Sequence, residues 1–313
     1  MKKILITGGA GFIGSNLVES LSKNKDLKII VIDNLLTGFK SNLDGIDNIE
    51  FYEKDIIDLD FLIKITKDVD VICHQAALGS VPRSVEYPSK TIANNVLGFT
   101  NIIEAAKINN IKKIVYASSS SVYGNNNDKI KKEENIGHQL SPYALSKRFD
   151  EMLARNAHDL YDINFYGLRY FNIFGPKQSP DSIYSAVIPI FIKRMLNNKP
   201  VYIHGDGEQC RDFTYIDNAV LANTNLLLND MKPGSYIYNI GCNDTTSINE
   251  IFKHLSDKIG YKKDPIYVEE RKGDVKYSLA NIEKAKKDFN YEIKVSLEDG
   301  LEKTISFLKQ SKF

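Results

Sequence analysis

An apolar, β-branched stretch, Ile4-Leu5-Ile6-Thr7, runs straight into Gly8-Gly9-Ala10-Gly11-Phe12-Ile13-Gly14, and a helical pattern follows. Gly9, Gly11 and Gly14 satisfy G-x-G-x-x-G in a strand–turn–helix setting. Gly8 and Gly9 allow the tight turn, and Gly11 lets backbone N–H groups approach a pyrophosphate. Gly14 lets the helix lie close to the strand, with its positive N-terminus facing the phosphates. Alone the pattern would also fit a flexible glycine turn; in this strand–turn–helix setting it predicts a dinucleotide-binding βα unit.

The rest of the first half repeats that unit. Lys3–Thr7, Lys28–Ile32, Glu50–Tyr52, Val69–Cys73, Lys113–Ala117 and Asn164–Leu168 read as strands. Ile13–Leu21, Asp58–Thr66, Ser89–Ala106 and Pro142–His158 have helical spacing. This alternation predicts an α/β, Rossmann-type doubly wound parallel sheet covered by helices on both faces. Near-continuous apolar strands such as Ile29-Ile30-Val31-Ile32 fit a sheet buried on both sides. After Gly175 prolines break the rhythm. The expected division is therefore an NAD-binding domain over 1–175 and a smaller, mixed substrate lobe over 176–313, with some C-terminal elements returning to the first domain. Asn125–Asn135 reads as a solvated, charged loop.

The next strand ends at Asp33-Asn34, where an acid is expected to take the adenosine ribose hydroxyls. A carboxylate about 4 Å from a 2′-phosphate costs up to ~4 kcal/mol at an effective dielectric near 20, about a thousandfold in affinity. NAD rather than NADP is the expected cofactor. Asp55-Ile56, after the third strand, is placed to meet the adenine.

Ser141-Pro142-Tyr143-Ala144-Leu145-Ser146-Lys147 opens a helix on which Tyr143 and Lys147 share a face at i,i+4. Lowering a tyrosine from its usual pKa near 10 to ~7 takes roughly 4 kcal/mol, which a lysine ammonium and a nicotinamide cation can supply. Upstream, Tyr116-Ala117-Ser118-Ser119-Ser120-Ser121 closes a strand at its carboxyl end, where ligands of such sheets gather. A Tyr-x-x-x-Lys pair alone is usually a surface feature. Coupled to the glycine loop and the serines, it reads as a catalytic base.

These segments resemble an extended short-chain dehydrogenase/reductase, and within that group a nucleotide-sugar 4-epimerase. The resemblance runs through TGGAGFIG (7–14), DNLLTG (33–38), HQAALGSVPRS (74–84), NNVLG (94–98), SSSSVYG (118–124), SPYALSK (141–147), LRYFNIFGP (168–176), GDGEQCRDF (205–213) and RKGDVKYSLA (271–280). HQAALGSVPRS closely resembles the bacterial UDP-N-acetylglucosamine 4-epimerases of O-antigen and capsule synthesis. UDP-glucuronate epimerases carry Gly-Val-Arg in place of its Ser-Val-Pro-Arg.

The resemblance implies that Tyr143 is the base, that Lys147 lowers its pKa and holds the nicotinamide ribose, and that Ser119 passes the proton. It assigns Gly8, Gly11, Phe12, Ile13, Asp33, Asn34, Gly38, Asp55, Ile56, Gln75, Ala76, Ala77, Asn95, Ser118 and Tyr170 to the cofactor, with Phe171 beside Tyr170 in the nicotinamide pocket. For the UDP moiety it implies Asn172, Arg211 and Arg271 at the diphosphate, Asp274 at the uridine ribose, and Val187 and Tyr202 flanking uracil. Ser278 would gate the pocket opposite sugar carbon 2, where a strict UDP-galactose enzyme carries tyrosine, and Gly79, Ser80 and Ala186 would line the same box. Arg83 would either recognise an acidic sugar or serve structure. The expected partners are a UDP-sugar and a second copy of the chain, paired through a four-helix bundle built on Asn94–Ala106 and Tyr143–His158.

A 4,6-dehydratase needs an acid pair beside the serine strand, where Ser120-Ser121 stand here. A UDP-glucose/UDP-galactose epimerase, a UDP-glucuronate epimerase or decarboxylase, and a catalytically silent NAD-binding sensor remain as alternatives. With 41 Lys+Arg against 40 Asp+Glu, the chain lacks the basic excess of a nucleic-acid binder. Cys73, Cys210 and Cys242 form neither a disulfide framework nor a zinc site, and the five histidines are scattered, so no metal is expected. The cysteine usage points to a reducing cytoplasm, and no apolar run approaches the ~20 residues of a membrane span.

Overall fold

The computed structural model describes residues 1–181, 186–270 and 276–310. The large sheet contains β1 (Lys2–Thr7), β2 (Leu27–Asp33), β3 (Ile49–Glu53), β4 (Val71–His74), β5 (Lys113–Ser119), β6 (Asn164–Tyr170) and β7 (Ser235–Ile240). All seven are parallel, in the order β7-β6-β5-β4-β1-β2-β3. The order reverses between β1 and β4, and in such sheets ligands bind outside the carboxyl ends of the strands at that reversal. Register keeps those ends level: Thr7 lies opposite both Ile32 and His74.

Helices cover both faces because Ile4-Leu5-Ile6 and Ile29–Ile32 are buried on each side. One face packs against α1 (Phe12–Ser22). The other packs against α2 (Leu59–Ile65), α3 (Gly98–Ile108) and α4 (Pro142–Tyr161). A later helix, α5 (Ile216–Leu228), joins α1 on the first face. The chain thus returns after Gly175 to supply α5 and β7 to the sheet. The remaining elements of the second half include the helices Val187–Leu196 and Ile248–Ile259 and a four-stranded sheet.

Two local expectations change. The stretch 89–106 is not one regular helix: Pro88–Ile92 passes into a π-type turn over Ala93–Leu97 before α3 begins. The wider turn carries Asn95 inward, where its Oδ1 accepts from Leu78 N–H at 2.8 Å and its Nδ2 donates to Ser146 Oγ at 3.0 Å. The segment 125–135 is not simply solvated either. Lys131 is buried and its ammonium donates to the carbonyls of Asn126 and Asp128, each at 2.7 Å. Ile130–Lys131 adds a short strand beside Leu279–Ala280. Low complexity in sequence hid a lysine that its own loop satisfies.

Candidate active site

The glycine loop shows why side chains are missing there. Gly8 has φ +67°, and a Cβ on it would lie 2.6 Å from Ala76 N. On Gly14 a Cβ would strike the Gly8 carbonyl. Gly11 differs: its Cβ would approach only Gly8 O, at 3.2 Å. What a side chain would fill at Gly11 is the cavity that Gly8, Gly11, Phe12 and Ile13 line. Gly11 is also the N-cap of α1, with no side-chain cap and no acid in the first turn, so an anion is the partner these N–H groups lack.

This cavity, of about 330 Å³, runs from Asp33 and Asn34 at one end to Ser118, Tyr143, Lys147 and Tyr170 at the other. Asp33 is buried at the end of β2, where Oδ2 accepts from Ala10 N–H at 2.9 Å and Oδ1 from Leu35 N–H at 2.9 Å. Burial raises its pKa, and those N–H groups oppose the rise. Gly38 packs over the loop, since a Cβ there would lie 2.9 Å from Ala10 C. At the adenosine end expected from the sequence, Asn34 and Ile56 line the wall, whereas Asp55 accepts from Asn34 Nδ2 at 2.8 Å. Lys54, which the sequence reading passed over, lines the wall instead.

Tyr143 and Lys147 project from the first turns of α4, whose start is fixed by Pro142 and by Ser141 Oγ accepting from Ala144 N–H at 3.1 Å. Lys147 is buried and donates to Asp150 Oδ2 at 3.2 Å. Asp150 is pushed up to about 6 by burial, against the pull of Lys147. Behind the lysine, His74 is pushed down to about 3, chiefly by burial with Lys147 adding to it, and so is neutral. α4 is anchored one residue further on: Glu151 accepts from Ser118 Oγ at 2.7 Å and from Arg169 Nε and Nη2, each at 2.8 Å. Ser118 therefore lines the cavity with its hydroxyl already engaged. Ser119 caps the 3₁₀ turn Ser120–Tyr123, its Oγ accepting from Ser121 N–H at 3.1 Å.

At the nicotinamide end expected from the sequence, Gln75, Ala76, Ala77, Gly79 and Arg83 line the wall, and Arg83 Nη1 donates to Gly79 O at 3.4 Å. Tyr170 OH donates to Gln75 Oε1 at 3.2 Å and accepts from Asn223 Nδ2 at 2.8 Å, while Gln75 Nε2 donates to Asn223 Oδ1 at 3.0 Å. Asn223, on α5, was not legible as a site residue, because nothing local marks a mid-helix asparagine far along the chain. Two expected residues lie off the cavity wall. Asn95 is hydrogen-bonded to Leu78 and Ser146, and it is Asn94 that lines the cavity. Phe171 is fully buried in the same core cluster as Tyr170 and does not line the cavity.

A second cavity, about 920 Å³, is lined by Asn172, Val187, Tyr202 and Arg211, together with Phe213, Gln209 and Lys193. Asn172 has φ +36°, and its Nδ2 donates to Asp212 O at 3.1 Å. The Arg194 guanidinium lies 5.0 Å from the Tyr202 ring centroid. Ser80 caps the short helix Val81–Glu86, Ala186 caps Val187–Leu196, and Ser278 lies opposite Arg211 in strand register. None of these three lines either cavity. Arg271 and Asp274 lie outside the described residues. Among the described residues no cluster of His, Cys, Asp and Glu is suited to a metal, and no helix is long and apolar enough to cross a membrane.

Residues 4–241 match the NAD dependent epimerase/dehydratase family. The chain belongs to this family. Among solved members, a UDP-N-acetylglucosamine 4-epimerase from Methanobrevibacter ruminantium, in complex with UDP-N-acetylmuramic acid, is 38% identical with a TM-score of 0.94 over 99% of both chains. The UDP-glucose 4-epimerase of Thermotoga maritima with UDP-glucose is 36% identical, also with a TM-score of 0.94 over 99% of both chains. The UDP-glucuronic acid 4-epimerase of Bacillus cereus, in complex with UDP-glucuronic acid and NAD, is 33% identical at a TM-score of 0.92, covering 98% of this chain and 99% of its own. NAD is this family's cofactor, and the residues present fit such a group: the uncapped α1 terminus, the space at Gly11 and buried Asp33 form a cradle of the kind a dinucleotide fills.

Proposed function

We propose that this chain is an NAD-dependent 4-epimerase of UDP-sugars that interconverts UDP-N-acetylglucosamine and UDP-N-acetylgalactosamine, or their uronic acids. The observation that carries the reading is one continuous cavity joining the glycine loop to the Tyr143–Lys147 pair. NAD, when bound, supplies the acceptor and donor of the hydride at sugar carbon 4. Gly8, Gly11, Phe12 and Ile13 would hold its pyrophosphate through backbone N–H groups, and Asp33 its adenosine ribose. Tyr143 takes the proton from the carbon-4 hydroxyl and later gives it back; the Lys147 ammonium stabilises the phenolate, and Ser119 orders the hydroxyl. Inversion requires the sugar to present both faces to one Tyr143. Asn172 and Arg211 in the second cavity suit that need, because they hold the diphosphate while the sugar turns.

Gly79, on the wall of the first cavity, and Ser278, paired with Arg211 of the second, are small residues that suit an N-acetyl group. A second reading, UDP-glucuronate epimerisation, draws on Arg83, a cation on the wall of the first cavity. The test incubates purified protein, without added NAD, with UDP-N-acetylglucosamine, UDP-N-acetylgalactosaminuronate, UDP-glucose and UDP-glucuronate in turn, and resolves the 4-epimers by NMR. Interconversion of an N-acetylated pair is the expected result. Turnover of UDP-glucuronate alone would transfer the chain to the second reading, and no turnover would leave an NAD-binding protein without catalysis. Ser278→Tyr is expected to lose N-acetylated substrates selectively, and equal loss on UDP-glucose would count against the gate.

A further inference from the structure

We propose that Asp150 is a positioning residue that fixes the Lys147 ammonium beside Tyr143 and thereby sets the pH window of the reaction. The inference rests on the role of Tyr143 given above. Lys147 Nζ and Asp150 Oδ2 are 3.2 Å apart, with side chains 2% and 1% exposed. An aspartate inside a helix is a poor helix former, and a buried ion pair is seldom more stabilising than apolar residues of similar volume. Asp150 is not even fully satisfied, since its Oδ1 is buried without a hydrogen-bond partner. What this placement provides is a fixed negative charge against the catalytic lysine.

No other anion duplicates it among the described groups that face the pair. From β4 comes His74, neutral, its Nδ1 engaged with Thr7 Oγ1 of β1 at 2.8 Å. From β5 comes the Tyr116 phenol, held well above its usual pKa by burial first and by Glu151 and Asp150 next. On α4 itself, Glu151 is already shared among Ser118, Arg148 at 3.1 Å and Arg169 of β6 at 2.8 Å. Removing a negative charge lowers the pKa of every neighbouring acid. Without Asp150 the phenol of Tyr143 ionises more readily while Lys147 is charged, and Lys147 gives up its own proton sooner. Both limbs of a bell-shaped profile then move to lower pH. Since burial places Asp150 itself at about 6, the wild type approaches the same behaviour only in acid.

The experiment compares wild type, Asp150→Asn and Asp150→Glu. It records kcat for epimerisation against pH and, separately on the cofactor-stripped proteins, the ultraviolet phenolate titration after subtracting the same protein carrying Tyr143→Phe. Both kcat limbs and the Tyr143 phenolate midpoint are expected to move down by about one pH unit or more in Asp150→Asn, with Asp150→Glu near wild type. If Asp150→Asn fails to fold by thermal melt, Asp150→Ser, which leaves room for a water beside Lys147, takes its place. Unmoved midpoints, or an alkaline shift, would overturn the assignment. If Tyr143→Phe is inert while those midpoints stay put, this inference alone fails. If Tyr143→Phe turns over at the wild-type rate, the catalytic reading fails with it.

Discussion

A methyl group on Gly8 would meet Ala76 N at 2.6 Å, and one on Gly9 would meet a Val31 methyl at 2.5 Å, so these glycines answer to protein. At Gly11 a Cβ would meet only Gly8 O, at 3.2 Å, and the residue lines the open cavity, so no packing requirement explains that glycine. On the proposed reading, Tyr143 carries the acid–base chemistry. Tyr143→Phe is expected to lower turnover by about 10²–10⁴-fold, the usual range for a general acid–base, while NAD stays bound, measured by NMR of the 4-epimers and by cofactor content after denaturation. Motif spacing made Gly8, Asp33, Tyr143 and Lys147 legible because each sits at a fixed offset within one element. It did not distinguish Asn94 from Asn95, because the π-type turn rotates the helix between them. Nor could it find Asn223, whose partners Gln75 and Tyr170 lie on other elements.

At the scale of the element, the reactive side chains are only as well placed as α4 itself. Ser141 and Pro142 fix its start, and Glu151 ties its middle to β5 and β6 through Ser118 and Arg169. Arg169 is buried, lies 4.8 Å from the Tyr123 ring centroid, and donates its Nη1 to the Glu133 carbonyl at 2.9 Å. Glu151→Ala leaves that guanidinium without its carboxylate and is expected to cost ~3–5 kcal/mol of stability. Urea denaturation of the purified protein checks it. A loss below about 1 kcal/mol would show that the pair is not an anchor. Helical spacing announced α4, but its partner Arg169 lies just past the strand that the sequence marks at Asn164–Leu168, on the observed strand Asn164–Tyr170.

For the whole molecule, the parallel sheet gathers residues far apart in the chain at one edge. The rhythm of strands and helices made that sheet legible, including its first six strands. The seventh, β7, and its neighbour α5 lie beyond the stretch where the rhythm holds, and pairing with β6 decided their place. An apolar strip remains on α4: Leu145, Phe149 and Met152 are exposed at i, i+4 and i+7, with Leu97 also exposed. This face suits the proposed four-helix dimer. Phe149→Glu with Met152→Glu is expected to give a monomer by light scattering, with a dimer unchanged by both substitutions speaking against that interface.

Local chemistry is written locally: a glycine that must lack a side chain, a tyrosine one helical turn from a lysine, and strands apolar on both faces are set by the sequence, because each depends on the geometry of a single element. The burial of Lys147 against Asp150, the depth of Asp33, the burial of Lys131 and which of Asn94 and Asn95 faces the cavity depend on packing and on partners brought in from elsewhere, and only the packed structure determines those.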